Sequence, residues 1–183
     1  VSEQSNGLLD HQHFALRRLH SLTGIVPIGA FLINHLLTNS MAALNGMAYP
    51  ADRFDEHVHW IHSLPWLLAI EVLFIFLPLA FHAFYGALIA WQGKVNQNQY
   101  PYLDNWRYTF QRTTAWITLA FVIVHLGHFR FAHWLGAEPY HAGKPYFFAF
   151  TQEGFSLWLP MWAWMVVYAV GLTAAVFHFC NGL

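Results

Sequence analysis

Charge is the first thing this sequence is short of. Lysine, arginine, aspartate and glutamate make up 9% of its 183 residues, where a soluble domain carries about 25%. The formal net charge is −1, so no basic excess is present to hold nucleic acid. Cysteine is nearly absent as well. Cys180 stands alone, which excludes a disulfide within the sequence, and the CxxCH motif that tethers a c-type haem covalently is missing. The N-terminal stretch VSEQSNGLLDHQHFALRR shows no cleavage pattern behind a short apolar core. It reads as a cytoplasmic leader into the first helix and not as a signal peptide.

What is present is apolar. Hydrophobic residues make up 57% of the chain and aromatic ones 19%. A helix crosses the hydrocarbon layer in about 20 residues, and four segments are long and apolar enough to do so, near 19–37, 64–91, 113–134 and 157–180. The reading is an all-α integral membrane protein, a single domain over 1–183 built as an antiparallel bundle of transmembrane helices. Arg17, Arg18, Lys94, Arg107 and Arg112 fall on one side of the spans, against Arg53, Arg130 and Lys144 on the other. That bias puts the N-terminus in the cytoplasm. Trp66, Trp91, Trp106, Trp134 and Trp158 fall near span ends, as an interfacial aromatic belt requires.

Each expected span carries a histidine towards its C-terminal end: His35 in FLINHLL, His82 in LAFHAFYG, His125 in FVIVHLGH and His178 in AVFHFCNG. One such residue could simply hydrogen-bond a neighbouring carbonyl. Four, one per helix, point to function, because ionisable groups in hydrocarbon are costly. With a rise of about 1.5 Å per residue, His35 lies about 25 Å beyond Arg18 and His125 about 20 Å beyond Arg112, both on outward-running helices. His82 lies about 25 Å beyond Pro65 and His178 about 30 Å beyond Trp158, on inward-running ones. Two levels result, His35 with His125 outside and His82 with His178 inside. Zinc or copper centres usually gather three or four ligands, often with cysteine or carboxylate. Two imidazoles per level suit an axial pair across a flat macrocycle, hence two bis-histidine haems. Small residues beside them, Ala83 and Gly86, Ala174, Ala175 and Gly182, give a porphyrin room, though they also serve plain helix packing.

At these residues the chain resembles a known family. RRLHSLTGIVPIGAFLINHL, IEVLFIFLPLAFHAFYG, the NWRY…QR lead-in to the third span and VFHFCNGL are similar to the di-haem cytochrome b subunit of succinate:quinone oxidoreductases, in its single-chain, five-helix, menaquinone-associated form. The resemblance covers essentially the whole sequence. It implies that His35 and His125 hold an outer haem b, and His82 and His178 an inner one, in agreement with the depths. It also implies a flavoprotein subunit carrying FAD and an iron–sulfur subunit as partners on the cytoplasmic face of a bacterial inner membrane. Electrons from succinate would pass through the haems to menaquinone, or in reverse in the fumarate reductase direction. Succinate oxidation itself would lie in a partner subunit. A fifth helix is expected after Asn181-Gly182-Leu183. Two other readings stay open: a b-haem anchor for a hydrogenase or formate dehydrogenase, and an anchor whose histidines bind no cofactor.

Further residues carry alternatives side by side. Glu71, eleven residues before His82, is a candidate proton donor to a reduced quinone, or a carboxylate paired with a nearby donor. Arg17, Arg18, His20 and Arg112 are candidate contacts for inner-haem propionates, since arginine suits carboxylates. Positive-inside anchoring explains each of them singly. His128, one turn beyond His125, is a candidate propionate or quinone contact, or an ordinary interfacial histidine. Asp52, Asp55, Glu56, His57, His59 and His62 crowd the outer connection, as a metal site or as a solvated loop or surface helix. Pro78 should kink the second helix by removing a backbone bond.

Overall fold

The computed structural model describes residues 2–44, 52–93, 98–131, 140–141, 144–145 and 159–183. The first span is one long helix in two parts, α1 (Ser2–Thr23) and α2 (Gly29–Ala43), joined by a π-helical turn over Gly24–Ile28. Pro27 lies inside that turn. Proline has no N–H to give and its ring collides with the carbonyl four residues back, so the helix widens locally instead of breaking. A ten-residue helix, α3 (Arg53–His62), follows. Trp66, the one described non-glycine residue at positive φ (62°), then turns the chain into α4 (Leu67–Glu71). A second π turn, Val72–Phe76, leads into α5 (Leu77–Gln92). It sits just ahead of Pro78, so the expected distortion takes the form of a widened turn. Helix α6 (Leu103–His125) runs into a third π turn, Leu126–Arg130, and α7 (Met161–Gly182) closes the described chain. Two-residue strands β1 (Tyr140–His141) and β2 (Lys144–Pro145) pair antiparallel in the connection before α7.

The elements depart from the expected boundaries in instructive ways. The first helix runs past residue 37 to Ala43, and the third begins at Leu103, ten residues ahead of residue 113. Both extensions are polar enough to fall outside an apolar window yet have nothing to stop a helix. Among the described residues, three helices are long and apolar enough to cross a membrane: His13–Ala43, Leu67–Gln92 and Met161–Gly182. The third expected span, 113–134, is not among them. Within its described part, His125, His128 and Arg130 lower the hydropathy of α6 and the turn after it, and residues 132–134 lie outside the description. Lys94 and most of 135–156 lie outside it too.

Side-chain contacts fix the topology. Gly24 meets the ring of His82 and Gly86 meets that of His20, so the first and second spans run antiparallel. Arg112 reaches the carbonyl of Ile89, and Arg130 reaches Glu71, which sets the third span antiparallel to the second. Arg107 meets Asn181, Gln111 meets His178 and Phe121 packs on Gly171, which sets α7 antiparallel to α6. Phe179 against Gly29 closes the ring between α7 and the first span. The result is an up-and-down four-helix bundle. Its interior holds Phe121, Trp164, Ala174 and His128, while Ile33, Phe74, Phe84 and Val170 face outward. Apolar side chains turned outward are what lipid, as solvent, favours. Gly171 is required where it stands, because the Phe121 ring occupies the place of any β-carbon there.

Candidate functional site

The bundle brings the four span histidines together in two pairs, each across a diagonal. His82 on α5 and His178 on α7 have ring centroids 6.1 Å apart, with ring planes at 83°. His35 on α2 and His125 on α6 are 5.7 Å apart, at 86°. A metal–imidazole bond of about 2 Å, with about 1 Å more to each ring centre, spaces an axial pair about 6 Å apart. Along α6 the two levels are separated by the 14 residues from Gln111, which binds His178, to His125, or about 21 Å. The pairs therefore lie at opposite ends of the bundle.

At the inner pair, both imidazoles are oriented by backbone. His82 Nδ1 is 2.9 Å from the carbonyl of His20, and His178 Nδ1 is 3.2 Å from that of Gln111. A carbonyl only accepts, so each Nδ1 carries the proton and each Nε2 keeps its lone pair for a metal. Such outer partners fix tautomer and orientation in metal-ligating histidines. The His20 ring stacks on His82 at 4.1 Å. Its Nδ1 is buried without a hydrogen-bond partner, as is Arg112 Nη1. Two orphaned polar nitrogens at this end, that of Arg112 a donor, fit a cofactor carrying carboxylates. The Arg112 guanidinium otherwise lies over Tyr108 at 3.7 Å and against Gly93. Arg17 and Arg18 are exposed, with Arg18 over the Phe14 ring.

Gly24 shapes the cradle. A β-carbon there would stand 2.6 Å from His82 Cε1. Gly24→Ala should therefore push the His82 ring off its position, and if that ring ligates one of two haems, spectra of the purified complex should show one b-type signal lost and the other kept. Gly127→Ala, whose β-carbon meets nothing within 4 Å, should leave both.

The outer pair is held differently. Tyr168 places its hydroxyl 3.4 Å from His125 Nδ1 and 3.2 Å from His128 Nδ1. His128 is 1% exposed and lies against Trp164 at 4.4 Å. It is thus a packed core residue and not an interfacial one. His35 Nε2 lies 3.4 Å from the Asn39 amide, which also donates to the His35 carbonyl at 2.8 Å. Glu71 is not a free carboxylate. Arg130 clasps it with two bonds, of 2.6 and 3.0 Å. His62, at the end of α3, stands beside this pair; partial desolvation and then the Arg130 charge lower its pKa, with Glu71 opposing. Among the described residues no three His, Cys, Asp or Glu side chains converge as a metal site, so the acidic and histidine-rich α3 reads as a surface helix.

Tyr168, Trp164, Gln111 and Gly24 were not singled out from the sequence. The first two form an i, i+4 pair ahead of His178 on α7, a spacing that marks one helix face. Only the antiparallel register with α6 sets that face against His125 and His128.

Apolar helices packed in this way define an all-α membrane helix bundle. The chain is 41% identical over 173 residues to the succinate dehydrogenase cytochrome b558 subunit of Bacillus subtilis (strain 168), a match covering 94% of this chain and 78% of that one. It belongs to the family of cytochrome b membrane-anchor subunits of succinate dehydrogenase. No protein-family profile matches the chain, and no solved structure does.

Proposed function

We propose that this chain binds two b-type haems, one on His82 and His178 and one on His35 and His125, and links an iron–sulfur subunit to menaquinone. The observation that carries this reading is the pair of diagonal imidazole couples, 6.1 and 5.7 Å between centroids, at opposite ends of one bundle. The haems supply one-electron carriers at two depths. Around them the chain orients each ligand, keeps water out with Phe121 and Trp164, and offers His20 and Arg112 to the inner carboxylates. A flavoprotein with FAD and the iron–sulfur subunit dock at the cytoplasmic face, where the N-terminus lies. Residues 1–183 contribute four spans to a bacterial inner membrane, with α6 as the third, and a fifth helix follows Leu183. Near the outer pair, Glu71 takes part in quinone protonation once Arg130 releases it.

Pyridine haemochrome analysis of the purified complex tests the cofactor count, which should be two per chain. Co-purification with a covalent-flavin subunit tests the partner and separates this reading from a hydrogenase or formate dehydrogenase anchor. Potentiometry should also place the inner haem at the higher potential, since the cations of Arg17, Arg18 and Arg112 favour the reduced, more electron-rich state. The reverse order would remove that cluster from the account.

A further inference from the structure

The two pairs differ in what holds the ring nitrogen that faces away from the metal. At the inner pair the acceptors are backbone carbonyls, of His20 and Gln111. At His125 the partner is a side chain, the Tyr168 hydroxyl, which also reaches His128 Nδ1. Resting on the two-haem reading above, we infer that Tyr168 is a positioning residue that sets the reduction potential of the outer haem, with His128 as the next member of its hydrogen-bond chain.

The direction of that chain follows from donor inventory. If His125 ligates through Nε2, its Nδ1 carries the proton and must donate to the Tyr168 oxygen. The phenol has one proton, and it then points to His128 Nδ1, which accepts. His128 is buried with its ring packed against Trp164, so the acceptor is held in place. A hydroxyl that donates becomes a better acceptor, because linked hydrogen bonds polarise one another. More negative character therefore reaches the His125 ring, which becomes the more basic ligand. A more basic ligand favours ferric iron and lowers the potential. Only the outer haem feels this, since the inner imidazoles are held by the carbonyls of His20 and Gln111.

The test is potentiometry of the assembled complex in membranes, with low-temperature EPR to report each haem's axial geometry. Tyr168→Phe should keep both haems. It should raise the outer potential by about a tenfold change in the reduction equilibrium, ~59 mV for one electron, and leave the inner one in place. His128→Phe keeps a ring packed against Trp164 but removes the acceptor, so the outer potential should rise by less. An outer potential unchanged in Tyr168→Phe, an equal shift of both haems, or loss of the outer haem would each overturn the assignment. If Tyr168→Phe fails to assemble, His128→Phe decides alone, and no shift there overturns it. The haem count of the unsubstituted complex separately tests the two-haem reading, so the two failures are distinct.

Discussion

His82→Ala should reduce the b-type haem content of the complex from two to one, with the outer signal retained. His178→Ala should give the same result, and His35→Ala or His125→Ala the complementary one, since each macrocycle loses an axial bond. The pairing predicts more than four separate losses. Because the couples cross the diagonals, 6.1 and 5.7 Å apart, substitutions within a couple should be redundant. His82→Ala with His178→Ala should still leave one haem, whereas His35→Ala with His82→Ala should leave none. Optical spectra of the purified variants decide it. A His82→Ala protein with two intact bis-histidine signals would refute the assignment.

The second large effect concerns the membrane potential. If menaquinone is reduced near the outer pair, each electron moves outward from the cytoplasmic face, and an interior-negative potential drives it. The gain is about 2.3 kcal/mol per charge per 100 mV, or about 4.6 kcal/mol for the two electrons of one quinone. That is roughly three decades in an equilibrium constant. Succinate-driven menaquinone reduction in sealed cells or vesicles should therefore slow sharply when an uncoupler is added. Detergent-solubilised complex should not respond. Equal rates in sealed membranes with and without the uncoupler would place quinone reduction at the cytoplasmic end, and Glu71 would lose its proposed role.

The histidines were legible because hydrocarbon makes an ionisable side chain conspicuous. One per span, read against helical rise, gave the couples His35 with His125 and His82 with His178, and the structure brings these same residues together. The surroundings were less legible, for a reason of register. Three π turns, at Gly24–Ile28, Val72–Phe76 and Leu126–Arg130, each rotate the helix beyond a spacing counted at 3.6 residues per turn. Glu71 and His82 flank one of these turns, so eleven residues do not amount to three plain turns there. The Glu71–Arg130 clasp, the carbonyl of His20 beneath His82 and the burial of His128 all depend on how such turns align neighbouring helices. A single sequence shows each helix's own face. It does not show which residues of another helix lie opposite.

The diagonal arrangement also bears on how the chain is put together. The first and second spans pack as one antiparallel hairpin, and α6 with α7 as another, with sparser contact between the hairpins. Each histidine couple takes one member from each hairpin: His35 and His82 from the first, His125 and His178 from the second. A bound macrocycle would thus act as a rivet between the two hairpins, and two rivets at different heights would prevent one half from pivoting on the other. Binding energy spent at the cofactor is then energy of assembly. Cells starved of haem synthesis should accumulate the two halves loosely joined, with the connection between them open to protease.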